Sequence, residues 1–386
     1  MEELPMKIIH TSDWHLGKLL NDYSLLADQR HFLNQFISDM LTIQPDVILI
    51  CGDIYDRSVP SAEAVALLND TLIRLAQEVR AAVILTAGNH DSKERLSFGS
   101  TLLAESGVHL IGRPSYPTEP ITLYDAHGPV HFYALPYLDQ YDIRPLFPDE
   151  SLKTNNEAFH RFCQPLLEHL NTAERNVLLA HGFFTAGATD SDLSEQVGGS
   201  ELISLHDFAA FDYLALGHIH GNRTIGLPHA RYSGSPLKYS IDEASQQKSY
   251  LLLELGEKGT LTMTEHPIDP LHDVRTLTGS FADVLKRDWH QNQNFDDYVF
   301  VNLTDAKPIA DVMSQLKAVL PNILGVKFAQ MDALTPKSAV SIQQIQTQSP
   351  ETLFADFYES QTGEPLTPYQ TELTHTLFQQ AGGNPT

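Results

Sequence analysis

Short, strongly apolar runs recur along the chain, and each of the five clearest is followed at once by polar or charged residues. These runs cover residues 6–9, 47–51, 83–85, 177–180 and 213–216. Runs of this length that are rich in β-branched side chains and bounded by Gly or Asp predict buried strands. Residues 25–41 and 64–79 instead have apolar positions at helical spacing, and Ser61 is the predicted N-cap of the second helix. The order strand, helix, strand, helix, strand predicts a mixed sheet with right-handed crossovers.

After Pro228 the pattern changes to short extended runs at residues 230–233, 249–255 and 261–264. We interpret these runs as antiparallel strands of a second sheet that packs on the first. The sequence therefore predicts an α/β fold, a four-layer α/β/β/α sandwich, over residues 6–267.

After residue 267 the sequence predicts a small domain, a linker and two helices. A small α+β capping domain is expected over residues 271–331, with strands at 298–303 and 326–328 around a helix at 309–320. Residues 336–349 are rich in Ser, Thr and Gln, which is typical of a linker. Two amphipathic helices at 350–360 and 366–380 follow, so residues 350–380 form the last predicted segment.

The polar residues that follow the five apolar runs are of the kinds that bind metal ions. The five motifs are Asp13-Trp14-His15, Gly52-Asp53-Ile54-Tyr55-Asp56, Gly88-Asn89-His90-Asp91, His181-Gly182 and Gly217-His218-Ile219-His220. In open α/β sheets, ligands bind beyond the carboxyl ends of the strands. We therefore expect the motifs to meet at one place and to form the site of a two-metal hydrolase.

Hard divalent ions prefer carboxylate, amide oxygen and imidazole ligands, and one bridging carboxylate can hold two ions roughly 3.5–4 Å apart. Asp53 is the predicted bridge between the two ions. The predicted ligands of the first ion are Asp13, His15, Asp53 and His220. The predicted ligands of the second ion are Asp53, Asn89, His181 and His218. Such ions lower the pKa of water towards about 7 and neutralise charge on phosphoryl oxygens.

Other residues in the motifs are expected to act around the ions. His90 lies beside Asn89 and is the candidate catalytic residue that protonates or stabilises the leaving oxygen. Asp56 and Asp91 are expected to orient neighbouring groups. Trp14 is expected in the core, and His10 in a packing role or behind the ligands.

Composition limits the class of protein. An apolar fraction of 42% is ordinary for a folded protein, and no apolar stretch approaches the roughly 20 residues of a membrane span. The N-terminus lacks the basic and apolar regions of a signal peptide. Cys51 and Cys163, the two cysteines, form neither a disulfide framework nor a zinc motif. These features predict a cytoplasmic protein without a membrane partner.

The charge is unusual for an enzyme that acts on nucleic acid. The chain has 25 Lys and Arg against 49 Asp and Glu, which gives a formal net charge of −24. DNA binding normally requires a basic face. Either the substrate is small, or another subunit supplies the basic surface.

The motifs resemble the calcineurin-like metallophosphoesterase superfamily. More narrowly, residues 10–17 (HTSDWHLG) resemble the bacterial SbcD nuclease family, and residues 187–192 and 231–236 are also typical of that family. Residues 52–57 are in addition similar to protein Ser/Thr phosphatases, whose first motif lacks the SDWHLG form. The SbcD resemblance implies Mn²⁺-dependent cleavage of DNA in repair and recombination, exonucleolytic at duplex ends and endonucleolytic at hairpins. It also implies a homodimer within a heterotetramer that contains an SbcC-like coiled-coil ATPase.

Two other classes of function stay open at this point. A phosphatase or phosphodiesterase for small substrates would not need the α+β domain or the C-terminal helices. A non-catalytic scaffold for an ATPase partner would be expected to have a broken set of metal ligands, and each predicted ligand position is filled.

The C-terminal helices are the predicted partner-binding surface, through Leu353, Phe354, Phe357, Leu373 and Leu377. An amphipathic helix that docks in a groove is a common mode of recognition. The alternative is that these helices fold back onto the core.

Overall fold

The computed structural model of the protein describes residues 4–185, 202–286, 294–329, 349–362 and 364–380. The chain forms two compact units, Met1–Val274 and Arg275–Thr386. The family-typical segment 187–192 and residues 336–348 of the predicted linker lie outside the described residues. None of the described helices has the length and apolar character needed to cross a membrane.

The strands of the first unit alternate with helices in its first half and follow one another closely in its second half. The strands are β1 Met6–Thr11, β2 Leu19–Leu20, β3 Tyr23–Ser24, β4 Val47–Cys51, β5 Ala82–Thr86, β6 Val108–Ile111, β7 Ile121–Asp125, β8 Gly128–Leu135, β9 Arg175–His181, β10 Phe184–Thr185, β11 Ile203–Ser204, β12 Tyr213–Gly217, β13 Arg223–Ile225, β14 Leu227–Tyr232, β15 Ser249–Leu255 and β16 Leu261–Pro267. The helices are α1 Leu26–Ile43, α2 Ala62–Arg74, α3 Lys93–Leu96, α4 Ser100–Ala104, α5 Gln140–Ile143 and α6 Asn155–Glu168.

The first large sheet has the strand order β16-β15-β1-β4-β5-β6. Strands β1, β4, β5 and β6 are parallel, whereas β15 pairs antiparallel with both β1 and β16. The sequence-based assignment of residues 249–255 and 261–264 to the second sheet is therefore wrong. Alternation of apolar residues predicts that a segment is a strand but does not identify the strand with which it pairs. Strand β15 pairs with β1, about 240 residues earlier in the chain.

The second large sheet has the strand order β13-β14-β12-β9-β8-β7. Strands β8, β9, β12 and β14 are parallel to one another. The strands that lead to His181 and His218 thus belong to a different sheet from those that lead to Asp13, Asp53 and Asn89. A site that contains all five motifs must lie where the ends of two sheets meet.

The two sheets pack face to face, because one cluster of buried side chains contains residues from both, among them Ile8, Leu49, Leu179 and Ala215. Helix α6 covers the outer face of the second sheet, where Phe159 and Phe162 join a cluster with Leu178. The predicted four-layer α/β/β/α sandwich is confirmed.

The helices on the first sheet follow from their sequences. Helix α1 buries Phe32, Phe36 and Met40, which are spaced four residues apart, and the ring of Phe36 contacts Tyr250 of β15. Helix α2 begins after Ser61, whose side chain accepts a hydrogen bond of 3.2 Å from the backbone N–H of Ala64. The predicted N-cap is confirmed.

The second unit contains a three-stranded sheet. Its strands are β17 Val274–Gly279, β18 Tyr298–Leu303 and β19 Ile323–Phe328, and its helices are α7 Phe281–Val284, α8 Val312–Lys317, α9 Pro350–Thr362 and α10 Pro368–Gln380. The sheet order is β17-β18-β19, and β18 and β19 are parallel. Val299, Val301, Leu303 and Leu316 form its core with neighbouring apolar residues.

Helices α9 and α10 contact each other within this unit. The ring centroids of Phe354 and Phe378 are 6.2 Å apart, and the Gln370 side chain donates a hydrogen bond of 3.0 Å to the Tyr358 hydroxyl. Their outer surface keeps large apolar side chains in solvent: Phe357 is 60% exposed and Leu377 is 55% exposed.

Candidate metal centre

The five motifs lie in loops at the carboxyl ends of β1, β4, β5, β9 and β12, and backbone hydrogen bonds join the loops of the two sheets. The backbone N–H of His218 donates to both carboxylate oxygens of Asp13, at 3.0 and 3.1 Å. The Nδ1 atom of His181 lies 2.9 Å from the carbonyl oxygen of Cys51, at the end of β4. These contacts bring together two sets of residues that are far apart in sequence.

Four of the predicted ligands have backbone angles that side-chain-bearing residues rarely adopt. The φ angles are 55° at Asp13, 44° at His15, 49° at Asp53 and 107° at His218. A positive φ costs free energy for any residue except glycine, and such residues cluster at functional sites. The loops are therefore shaped to direct these four side chains and not to minimise local backbone energy.

Two glycines leave room for the predicted ligands. A Cβ atom on Gly88 would lie 2.1 Å from Oδ1 of Asp53, and one on Gly217 would lie 1.8 Å from the carbonyl oxygen of Cys51. Because either contact is far inside van der Waals distance, both positions require glycine if Asp53 and the sheet ends are to stay in place.

The ligand atoms predicted for the first ion converge. The Nε2 atoms of His15 and His220 are 3.2 Å apart, and Nε2 of His15 is 3.5 Å from Oδ2 of Asp53. One oxygen of Asp13 joins the two histidines in a group whose ligand atoms all lie within 4.8 Å of one another.

The ligand atoms predicted for the second ion also converge. Nε2 of His181 lies 3.2 Å from Oδ1 of Asn89, 3.3 Å from Nδ1 of His218 and 3.4 Å from Oδ2 of Asp53. Nδ1 of His218 and Oδ1 of Asn89 are 2.9 Å apart. Asp53 Oδ2 thus faces both groups, as expected for a residue that is shared between two ions.

This arrangement fits divalent cations. Ligands roughly 2.0–2.2 Å from one ion lie about 3 Å apart at right angles, close to the separations found here. With its Nδ1 proton donated to the Cys51 carbonyl, a neutral His181 turns the lone pair of Nε2 towards the acceptor atoms of Asp53 and Asn89. Acceptors that face one another without a proton repel, and a cation between them removes the repulsion.

The electrostatics of the buried groups agree with this interpretation. Burial would lower the pKa of His181, but the carboxylate of Asp53 outweighs it and raises that pKa to about 9. Burial would likewise raise the pKa of Asp53, but His181 and His15 hold it well below its usual range. Burial lowers the pKa of His218 to about 3. Asp53 therefore stays ionised. Its negative charge stabilises a proton on His181, and a bound cation would take the place of that proton.

Burial also affects the remaining ligands of the first group. It raises the pKa of Asp13, against the opposing charges of His181 and His220. It lowers the pKa of His15 well below the usual value. A neutral imidazole at His15 is the form that binds a metal ion.

His90 lies at the edge of the group. Its backbone N–H donates to Oδ1 of Asp53 at 2.9 Å, and its Nδ1 lies 2.9 Å from the backbone carbonyl oxygen of Asp56. Its ring centroid is 4.8 Å from that of His15. His15, Asp56 and His90 also form a group with ligand atoms within 4.8 Å, so geometry alone leaves His90 two roles, ligand or proton donor.

Asp91 and Asp56 hold the loops together. The Asp91 carboxylate accepts hydrogen bonds from the backbone N–H groups of Ile54, Tyr55 and Gly88, at 3.0, 2.9 and 2.9 Å. Burial raises the pKa of Asp91 to about 6 despite these three bonds. Asp56 accepts a hydrogen bond of 2.8 Å from Lys18.

Trp14 and His10 lie behind the site. Trp14 is fully buried, with its ring against Phe32 and Phe36. Nδ1 of His10 is 2.9 Å from the Tyr213 hydroxyl, which joins the two sheets.

Sequence reasoning missed several residues around the ligands. Oε1 of Glu243 lies 2.9 Å from Nδ1 of His220, and the ring of Tyr239 packs roughly perpendicular to the rings of His15 and His220. Tyr137 and Phe183 lie beside the His218 ring. None of these residues stands in a recognisable motif. Only their position in space, beyond the strand ends, gives them a role.

Two family models match the chain, and a solved structure aligns with it at low similarity. Residues 6–222 match the family model described as calcineurin-like phosphoesterase. Residues 270–362 match a model described as type 5 capsule protein repressor C-terminal domain. A solved dimetal phosphatase from Danio rerio aligns at a TM-score of 0.42 and 12% identity over 70% of this chain and 98% of its own, which is too distant to transfer detail.

Two curated relatives cover almost the whole chain. The SbcD subunit of the SbcCD nuclease of Staphylococcus epidermidis is 33% identical over 96% of this chain and 98% of its own length. The protein of the same name from Staphylococcus saprophyticus is 33% identical over 95% of this chain and 96% of its own length. The chain belongs to the SbcD nuclease family, within the calcineurin-like phosphoesterases.

Proposed function

We propose that this chain is the DNA-cleaving subunit of an SbcCD-type repair and recombination complex and hydrolyses phosphodiester bonds with two divalent ions. The observation that carries the proposal is the convergence of seven side chains into two groups that share Asp53. The seven residues are Asp13, His15, Asp53, Asn89, His181, His218 and His220. The proposed substrates are duplex ends, cut exonucleolytically, and hairpins, cut endonucleolytically.

In this proposal the first ion is held by Asp13, His15, Asp53 and His220, and the second by Asp53, Asn89, His181 and His218. Divalent ions, taken as Mn²⁺ from the family resemblance, would supply an acidified water as nucleophile and neutralise charge on the phosphoryl oxygens. The protein contributes rigidity, because strained loops and buried hydrogen bonds fix its ligands before substrate arrives.

His90 is proposed to donate a proton to the leaving oxygen. In the doubly protonated imidazole, the Nδ1–H is bound by the Asp56 carbonyl oxygen at 2.9 Å, so only Nε2–H is available to substrate. The bond from the His90 backbone N–H to Asp53 ties this ring to the bridging carboxylate. The proposed proton donor therefore lies in the same loop as the proposed ligand Asn89 and is hydrogen-bonded through its backbone to the proposed bridge, Asp53.

The charge of the chain favours a partner that provides the DNA-binding surface. The formal net charge is −24, and three basic residues near the motifs are paired with acids. Lys18 is 2.8 Å from Asp56, Arg57 is 3.7 Å from the same carboxylate, and Lys93 is paired with Asp142. Affinity for duplex DNA depends on neutralising phosphates. We assign that task to an SbcC-like coiled-coil ATPase.

We further propose a homodimer within a heterotetramer, as the family resemblance implies. In the first unit, Phe98 and Leu102 are 86% and 74% exposed, four residues apart. Large exposed apolar patches often mark protein–protein interfaces, and a second copy would cover this pair.

A substrate panel tests the proposed function. With Mn²⁺ supplied, the chain together with its ATPase partner is expected to cut linear duplex and hairpin DNA, and the isolated chain is expected to cut a nitrophenyl phosphodiester. Efficient hydrolysis of phosphomonoesters without cleavage of DNA would instead indicate a small-substrate phosphatase. A lack of hydrolysis of every substrate, with metal bound, would indicate a scaffold.

Replacing His90 by Ala is expected to leave both ions bound and to slow DNA cleavage by about 10²–10⁴-fold, the range for loss of a general acid. Nitrophenolate leaves without protonation, so hydrolysis of the nitrophenyl ester should fall much less. Metal content and both rates are measured on the purified variant, with His229→Ala as control for a half-buried histidine elsewhere. Loss of an ion from the variant would make His90 a ligand.

A further inference from the structure

Glu243 is a buried carboxylate that none of the motifs includes. It is 6% exposed and lies 2.9 Å, through Oε1, from Nδ1 of His220. An ionised carboxylate only accepts hydrogen bonds, so the shared proton belongs to Nδ1 of the imidazole. Nε2 of His220 is thereby left with its lone pair directed at the position between His15 and Asp13.

Lys248 binds the second carboxylate oxygen of Glu243, the one that does not face His220. It is 6% exposed, and its ammonium group donates to Oε2 of Glu243 at 2.6 Å and to the backbone carbonyl oxygen of His220 at 2.9 Å. Oγ of Ser235 and Oε1 of Gln246 also lie within hydrogen-bond distance of the same nitrogen, at 2.9 and 2.8 Å, so the three N–H groups are shared among four acceptors. The Glu243–Lys248 pair thus holds His220 at both its ring and its backbone.

His220 differs in this respect from the other three histidine ligands. The second ring nitrogen of His181 meets a neutral backbone carbonyl, and that of His15 lies 3.6 Å from the nearest carboxylate oxygen, on Asp56. Nε2 of His218 has no hydrogen-bond partner in the described part of the chain. A carboxylate behind a histidine raises the basicity of the ligand and fixes its orientation. Among the described residues, a carboxylate within hydrogen-bond distance of a ligand histidine's second ring nitrogen is found in the first group only.

We infer that Glu243, fixed by Lys248, is a positioning residue that sets the tautomer and orientation of His220 and so the affinity of the site formed by Asp13, His15 and His220. This inference rests on the proposed function, because it takes His220 as a metal ligand. If the inference holds, the two sites bind their ions with different affinities. Removal of the Glu243–Lys248 pair should then lower the affinity of the site that contains His220 and leave that of the other site unchanged.

The test compares Glu243→Gln with Asp28→Asn in the full-length chain. Asp28 forms a matching buried carboxylate contact, 2.9 Å from Nδ1 of His272, outside the metal centre. Titration calorimetry with Mn²⁺ is expected to show one site weakened by about 10–100-fold in Glu243→Gln and neither site weakened in Asp28→Asn. In the metal-free protein, ¹⁵N spectra of the histidine side chains should show His220 leaving the Nδ1–H tautomer only in Glu243→Gln.

A second variant guards against misfolding. Replacing Glu243 and Lys248 together by Met removes both charges at similar volume, so no unpaired charge is left buried. This variant should fold, as judged by its thermal unfolding, and should show the same selective loss of one ion. Two Mn²⁺ ions bound at wild-type affinity, with an unchanged His220 tautomer, would overturn the inference while leaving the proposed function intact. A wild-type chain that binds no Mn²⁺ would overturn the proposed function itself.

Discussion

Replacing Asp53 by Asn is expected to weaken both metal sites together and to reduce nuclease activity more than about 100-fold. Loss of a residue that only hydrogen-bonds to a metal ligand costs about 10–100-fold, and loss of a ligand shared by two ions should cost more. The reason is that Oδ2 of Asp53 lies 3.5 Å from Nε2 of His15 and 3.4 Å from Nε2 of His181, so one carboxylate faces both groups. Asn keeps the size and the acceptor for the His90 backbone N–H but removes the negative charge.

The measurement is the number and affinity of Mn²⁺ ions bound, by titration calorimetry or electron paramagnetic resonance, together with DNA cleavage. His15→Ala is the matched comparison, because His15 is a predicted ligand of the first ion and not of the second, so the change should mainly empty the first site. If Asp53→Asn binds two Mn²⁺ ions as tightly as the wild type, the bridging ligand is another residue.

The strands that lead to the motifs could be predicted from local pattern. Each is a run of buried apolar residues, and β4 and β12 are buried along their whole length, so hydrophobicity alone identifies them. Loops beyond their carboxyl ends then follow from general rules for α/β sheets. The predicted ligands converge because these rules apply to both of two sheets that pack face to face, with the carboxyl ends of β1, β4, β5, β9 and β12 at a common edge.

The division of strands between sheets could not be predicted in the same way. Strands β14 and β15 both read as short extended runs, yet β14 lies beside β12 and β15 lies beside β1. Pairing is decided by which faces bury apolar surface against each other over long separations in sequence. Local alternation of side chains contains no information on that choice.

The residues that support the ligands were missed for a related reason. Glu243 and Lys248 stand five positions apart in a segment of ordinary composition, and both are residue types that usually lie in solvent. Only the fold reveals that both are buried beside His220. Buried charges in pairs are costly, and their presence near a ligand is therefore informative about function.

The C-terminal helices α9 and α10 are the proposed docking surface for the ATPase partner, which in turn is proposed to bind the DNA. On α9, Phe354 and Phe357 are three residues apart, and on α10, Leu373 and Leu377 are four apart, so each pair lies on one helix face. Leu353 is half-buried, whereas the other four are 39%, 60%, 45% and 55% exposed in that order. Phe354 contacts Phe378 of α10, and the exposed fractions of Phe357, Leu373 and Leu377 are large enough for these side chains to enter a groove in a partner.

Truncation after Ser349 is expected to abolish co-purification with an SbcC-like ATPase while leaving Mn²⁺-dependent hydrolysis of a nitrophenyl phosphodiester unchanged. The proposed metal ligands all lie in the first unit, and the proposed docking residues all lie beyond the cut. DNA cleavage by the mixture of the truncated chain and the ATPase should fall to the level of the chain alone, since affinity for duplex DNA depends on neutralising phosphates and this chain has a net charge of −24.

Point variants separate docking from a general effect of shortening the chain. Phe357→Ser with Leu377→Ser should weaken binding to the ATPase by at least about 10-fold, because buried apolar anchors dominate such interfaces at about 1–2 kcal/mol or more each. Tyr124→Ser, which changes a side chain 76% exposed in the first unit, should not. Unchanged ATPase affinity after truncation would show that α9 and α10 are not the docking surface and would favour their packing against the core. Tight binding of duplex DNA by the full-length chain alone at physiological salt would contradict the proposed division of labour, because the DNA-binding surface would then belong to this chain.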